Sequence, residues 1–296
     1  MLSKNINFKS FDHKSKNQKI KKNLKNILSQ NNEILQSLTT AYKYQYNKSL
    51  IKKIKKEKTL KIIGMGGSII GTHAIHDFLK HKIKKKIIFY ENLESNVKNK
   101  SQGTNIIISK SGNTLETITN VHLLIKKNEK NIFITESKNS YLRSLAFKLK
   151  AEIINHNNFI GGRYSVMSEV GMLPAELMGL NESKFKQLNN LIKNKNFINL
   201  LVSNVSSTLY FVKNKKFNSI ILNYDNSSDN LFKWYQQLIA ESLGKKGKGI
   251  LPIISSMPKD NHSLMQLYLD GPKNNFFTFF HTNEKKTSKI NNSKIL

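Results

Sequence analysis

From residue 57 onward, short apolar runs alternate with longer stretches in which apolar residues return every third or fourth position. The runs at 60–65, 87–90, 105–109, 131–135 and 152–155 predict five strands, and the stretches between them predict helices. Near-continuous apolar strands separated by helices require a parallel sheet covered on both faces. This first unit spans 57–180, and a polar helical connector follows over 181–213. The pattern then restarts with a strand at 218–224, a helix at 228–243, a strand at 249–254, a helix at 262–269 and a strand at 275–281. That second unit, 214–296, is too short to match the first. Ahead of both, residues 1–56 are polar, with loose helical periodicity around Ile27, Leu28, Ile34, Leu35 and Leu38, and predict a helical arm rather than a core. The expected class is α/β: two three-layer units with mostly parallel sheets, the second incomplete, behind an N-terminal arm.

Composition narrows the chemistry. The 296 residues are long enough for two ordinary cores, and the absence of cysteine excludes disulfides, thiolate metal sites and cysteine nucleophiles. The formal charge of +30 would ordinarily suggest a nucleic acid or an anionic membrane as partner. Yet every basic residue except Arg143 and Arg163 is a lysine, and nucleic-acid readers depend on arginine for bidentate contacts and stacking. Runs such as Lys52-Lys53-Ile54-Lys55-Lys56 therefore read as a solvated helix face, and neither nucleic acid nor membrane is expected as a partner. Residues 1–20 lack an apolar export signal, and no stretch approaches the ~20 apolar residues of a membrane span. A cytoplasmic protein is expected.

Open α/β sheets bind ligands beyond the carboxyl ends of their strands, so the strand-end loops hold the candidate chemistry. After the first strand comes Gly64-Met65-Gly66-Gly67-Ser68, where glycines let backbone amides approach an anion at a helix start. A dinucleotide fingerprint fails there because Ile69 occupies the third glycine's place, and no phosphate-binding P-loop pattern occurs. The third strand ends in Ser109-Lys110-Ser111-Gly112-Asn113-Thr114: three hydroxyls and a lysine at a helix N-terminus, a phosphate cradle built without arginine. Helix capping by Ser111 or Thr114 is the competing account. Gly161-Gly162-Arg163-Tyr164-Ser165 follows the fifth strand. The Arg163 fork there suits a carboxylate, a phosphate or a developing enediolate, or else a structural ion pair.

In the second unit, Gln237 and Glu241 share one helix face, and Glu241 sits among apolar residues as a general base would; an ordinary exposed glutamate fits the same helical pattern. His262, before the last helix, is by itself more readily structural than catalytic. No histidine has the company a metal site needs, so no metal is assigned.

Five segments together resemble the glucose-6-phosphate isomerase (phosphoglucose isomerase) family, in order and at similar spacing. They are Gly64-Met65-Gly66-Gly67-Ser68, residues 109–117, GGRYSVMSEVG at 161–171, QLIAESLGK at 237–245 and NHSLMQLYLD at 261–270. The resemblance covers about residues 60–280. It implies sugar-isomerase-type α/β units and an aldose–ketose isomerase acting on glucose 6-phosphate and fructose 6-phosphate through a cis-enediol. It further implies that the substrate phosphate lies against Ser109, Lys110, Ser111 and Thr114, with Gly67, Ser68 and Gly162 beside it and Gln237 positioning the sugar. Glu241 would be the base and Arg163 the stabiliser of the enediolate. His262 would open the ring from the neighbouring subunit of a homodimer. No cofactor is implied. The family's late Q-W-G-V-E-L-G-K-like segment, with its active-site lysine, has no counterpart before Leu296, so a C-terminally truncated member is expected. The alternative reading is a catalytically impaired or non-catalytic sugar-phosphate-binding module.

Overall fold

The computed structural model describes residues 17–93 and 102–283; the outer ends of the expected arm and of the second unit lie outside the described residues. Three helices come first: α1 (Gln18–Leu28), α2 (Glu33–Ser37) and α3 (Lys48–Ile54). The first unit then alternates β1 (Thr59–Gly64), α4 (Ile70–Leu79), β2 (Lys86–Tyr90), β3 (Thr104–Ile108), α5 (Leu115–Leu124), β4 (Asn131–Thr135), α6 (Tyr141–Lys148), β5 (Glu152–Asn155) and α7 (Glu169–Leu177). Its five strands form one wholly parallel sheet in the order β2-β1-β3-β4-β5.

Strand alternation divides the core into two layers. Leu60, Ile62, Ile106, Ile108, Ile132 and Ile134 pack on one face against α3 and α7, whereas Ile63, Ile107 and Phe133 meet α5 and α6 on the other. A side chain every second residue on each face, both faces apolar, is what makes the strand sequences read as unbroken runs. One expectation needs correction. The segment before residue 57 is not all arm, since Leu50, Ile51 and Ile54 of α3 are buried in the first of these layers. Surrounding lysines hide that three-residue stripe in the sequence.

The connector comprises α8 (Glu182–Lys186), a 3₁₀ stretch and the long α9 (Lys195–Lys213). The second unit follows with β6 (Asn218–Asn223), α10 (Asp229–Leu243), β7 (Leu251–Ser256), α11 (Met265–Asp270) and β8 (Asn275–Phe280), its strands parallel in the order β7-β6-β8. Strand β7 begins two residues later than the periodicity predicts. Residues 245–248 first close a small bridged turn, with Gly247 and Gly249 at positive φ. Helix α10 packs along α4, which brings the second unit against the carboxyl-end loops of the first.

Candidate functional site

Sheet order reverses between β1 and β3: the chain leaves β1 toward β2 on one side and continues from β3 toward β4 on the other. The loops after these two strands therefore diverge and leave a crevice at the carboxyl edge. A cleft of about 320 Å³ lies there, lined by Met65, Gly67, Ser68, Lys110, Ser111, Thr114, Glu136 and Gly162.

Backbone proximity shapes its wall. A Cβ on Gly67 would stand 2.3 Å from the Gly162 carbonyl carbon and 2.5 Å from the Arg163 nitrogen, so only glycine lets these two loops touch. On the opposite side Gly112 has φ +66°, and a Cβ there would meet the Ser140 hydroxyl at 2.1 Å. The β3 loop is thus wound tightly enough to turn Ser111 and Thr114 toward the cleft.

Thr114 occupies the N-cap position of α5, but its side chain makes no capping bond. Its hydroxyl instead shares a 3.0 Å hydrogen bond with Ser109, whose own hydroxyl accepts from the Gly112 amide at 3.2 Å. The capping account of this segment therefore does not hold for Thr114. Ser109 is buried and lies behind the lining residues, bracing Thr114. Lys110 donates to the Asn158 carbonyl at 2.8 Å and pairs with Glu136 at 3.4 Å. An ammonium, two hydroxyls and a helix start converge on one concave surface, which suits an anion.

Arg163 leaves the other wall, immediately after Gly162. Its Nη1 donates to Glu241 Oε2 at 3.0 Å and its Nε to the Ser242 hydroxyl at 3.0 Å. Glu241's second oxygen accepts from Gln237 Nε2 at 2.8 Å, and that amide nitrogen stands 3.2 Å from where a Cβ on Gly66 would be. Trp234 closes the group by donating its indole N–H to the Arg163 carbonyl at 2.9 Å. The Arg163 guanidinium lies 4.6 Å from the centre of the Tyr164 ring, and the phenol bonds to Ser242 at 2.7 Å. That hydrogen bond, then the neighbouring cation, hold the phenol's pKa below its ordinary value.

The structure thus gathers Gly67, Ser68, Lys110, Ser111, Thr114 and Gly162 on the cleft wall, and sets Arg163, Gln237 and Glu241 beside it as one bonded cluster. Glu241 differs from the apolar setting read in the sequence: its side chain is 49% exposed, because α10 keeps little but Asn230 buried. His262 is exposed, follows the turn Lys259–Asn261 after β7, and does not line the cleft.

The phosphoglucose isomerase family model matches residues 11–251, most of the chain. The chain belongs to that family. Glucose-6-phosphate isomerase of Methanocaldococcus jannaschii is 35% identical over 261 residues, covering 80% of this chain and 63% of that protein. The enzyme of the same name from Mycoplasma mycoides is 31% identical, covering 84% of this chain and 64% of its own length. The chain therefore spans somewhat under two thirds of these relatives. Among solved structures, a glucose-6-phosphate isomerase from Chlamydia trachomatis shares the fold with a TM-score of 0.60 at 21% identity, over 78% of this chain and 51% of that one.

For a phosphoglucose isomerase family chain, the sequence reading passed over several residues that the fold brings into play. Glu136, on the cleft wall, is the first residue after β4. Ser242 and Trp234 flank Glu241 and hold Arg163, yet nothing in a helical pattern distinguishes them. Among the described residues, no group of three or more histidines and carboxylates could hold a metal ion. No described helix is long and apolar enough to cross a membrane.

Proposed function

We propose that this chain interconverts glucose 6-phosphate and fructose 6-phosphate by proton transfer between C2 and C1 through a cis-enediol. The observation that carries the reading is the Arg163–Glu241 contact at 3.0 Å, one residue beyond Gly162 on the cleft wall. Abstracting a proton beside a carbonyl needs a base, and a cation where oxygen charge develops. In this reading Lys110, Ser111, Thr114, Gly67 and Ser68 hold the phosphate, Ser109 fixes Thr114, and Gln237 and Arg163 hold Glu241 ready. On substrate binding Arg163 shifts its second partner from the carboxylate to the enediolate oxygen.

His262 enters this proposal from a second copy of the chain. Its exposure and its place outside the lining of its own chain's cleft support a homodimeric site, and a cytoplasmic setting belongs to the same reading. A non-catalytic sugar-phosphate binder is the second reading, favoured by the fact that neither Glu241 nor His262 lines the described cleft.

A coupled assay of fructose 6-phosphate to glucose 6-phosphate conversion decides between them. We expect turnover, reduced by about 10²–10⁴-fold in Glu241→Gln while hexose-phosphate binding persists. Binding without turnover in the unaltered chain leaves the binder reading standing.

A further inference from the structure

We infer that Lys186 is a positioning residue for the reaction: it anchors the rear of the turn that carries Gly162 and Arg163. Lys186 ends α8, outside the cleft lining, and its side chain is buried. Its ammonium donates to the Met167 carbonyl at 2.7 Å and to the Ser37 carbonyl. It also lies 5.3 Å and 5.1 Å from the ring centres of Tyr42 and Tyr44. Glu169, fully buried, accepts the Tyr42 hydroxyl hydrogen between its two oxygens, at 3.1 and 3.0 Å, and a further bond from the Gln45 amide at 3.2 Å. One lysine thus ties together a segment before the first sheet, α8 and the residue that ends the 3₁₀ turn Gly162–Met167.

Burying an ammonium is costly unless it is paired and hydrogen-bonded, and an apolar residue at 186 would leave the Met167 and Ser37 carbonyls without this donor. The Gly162–Met167 turn is also held by Ser165, which donates to the Gly162 carbonyl at 2.6 Å, and by Val166 and Met167, which pack with Met172 and Trp234. Arg163 is then gripped in front by Glu241, Ser242 and Trp234. Releasing the rear anchor lets the turn rotate and carries Arg163 off Glu241. The catalytic part of this inference rests on the isomerase reading; the anchoring itself does not.

The charged and titratable groups facing Lys186 are Glu169 on α7, Glu182 on its own helix, and Tyr42 and Tyr44. Burial lowers the lysine's pKa to about 8, against the pull of the two carboxylates, while burial first and nearby carboxylates second raise both phenols above their ordinary range. Losing the lysine's charge at mildly alkaline pH weakens bonds that are charge-assisted.

Trp234, the chain's single tryptophan, reports the turn directly through its bond to the Arg163 carbonyl. In the full chain, Lys186→Met should move the Trp234 emission maximum to longer wavelength while circular dichroism stays native. Inorganic phosphate should bind within about threefold of the parent affinity, and kcat, where the parent turns over, should fall about tenfold or more with little change in KM. A folded variant with unchanged emission overturns the inference. If Lys186→Met does not fold, emission is titrated with pH in a Tyr164→Phe background, which removes the phenol that stacks on Arg163. A transition near pH 8 supports the lysine, and a flat profile overturns it. Emission needs no turnover, so an inactive parent sinks the isomerase reading without touching this result.

Discussion

Glu136 is the only acidic side chain among the residues lining the cleft. Its carboxylate lies 3.4 Å from Lys110 and 3.6 Å from Lys138, with only 11% of its side chain exposed. An incoming phosphate must share Lys110 with it, and two like charges a few ångströms apart in a half-buried cleft repel by about 1–4 kcal/mol. Glu136→Gln keeps the side chain's shape and removes the repulsion, so inorganic phosphate should bind about three- to tenfold more tightly. Titration calorimetry at low and moderate salt checks this, and the gain should shrink as salt screens the charges. An unchanged or weaker affinity would mean that Glu136 is turned from the bound anion. The two residues that meet at this site from opposite units were unequally legible. Arg163 stood out because lysine replaces arginine nearly everywhere else. Glu241 did not, because i, i+4 spacing on a helix is shared by many surface glutamates.

The first sheet hides a polar row inside its apolar strands. Lys61 of β1, Asn105 of β3 and Asn131 of β4 stand in register across three neighbouring strands. Lys61 bonds both oxygens of Glu129 at 3.1 Å, while the Asn105 amide donates to Glu129 at 2.8 Å and to Asn131 at 2.7 Å. Glu129→Ala leaves the Lys61 ammonium buried without its carboxylate and takes one of the two acceptors from the Asn105 amide, and should cost roughly 3–5 kcal/mol in urea-induced unfolding. Burial alone would push the Glu129 carboxyl up, but the bonds from Asn105 and Lys61 outweigh it and hold its pKa below the usual range. A depressed carboxylate contributes stability above its unfolded pKa and loses it as pH falls through the folded one. The gap between parent and variant should therefore be full at neutral pH and close in acid. The same row explains how well the strands could be read. A single polar residue within each apolar run did not disturb the pattern, and β4 and β5 have the predicted bounds. Helix α3 escaped because its buried stripe is only Leu50, Ile51 and Ile54, in a segment otherwise dominated by lysine.

The two units are joined chiefly where α4 meets α10, and the joint is charged. Asp77 on α4 accepts from Asn230 on α10 at 2.6 Å and from His76 at 2.8 Å, while His73 reaches Glu91 at 3.2 Å and Asp77 at 3.6 Å. Asp77 is held below its ordinary pKa because these bonds and the histidine charges overcome burial; Glu91 is lowered first by its bond with His73. Both carboxylates thus supply stability that is complete above their unfolded pKa values and disappears as acid protonates them. The first sheet keeps its two apolar layers whatever happens at this joint, whereas among the described residues the second unit has a smaller core, with Ile220, Ile221, Leu222, Met257 and Phe276 buried. Mild acid should therefore loosen α10 and β6–β8 before β1–β5. Asp77→Ala should reproduce that loosening at neutral pH by leaving Asn230 without its acceptor. Amide exchange gives the test: protection in α10 and the second sheet should fall about tenfold or more, while the first sheet stays unchanged. A uniform loss across both sheets would show one cooperative core instead of two units latched together. Because the Arg163–Glu241 contact crosses this same joint, the order of loosening also determines where acid first disables the proposed site: at the pairing of Arg163 with Glu241, with the cleft itself still formed.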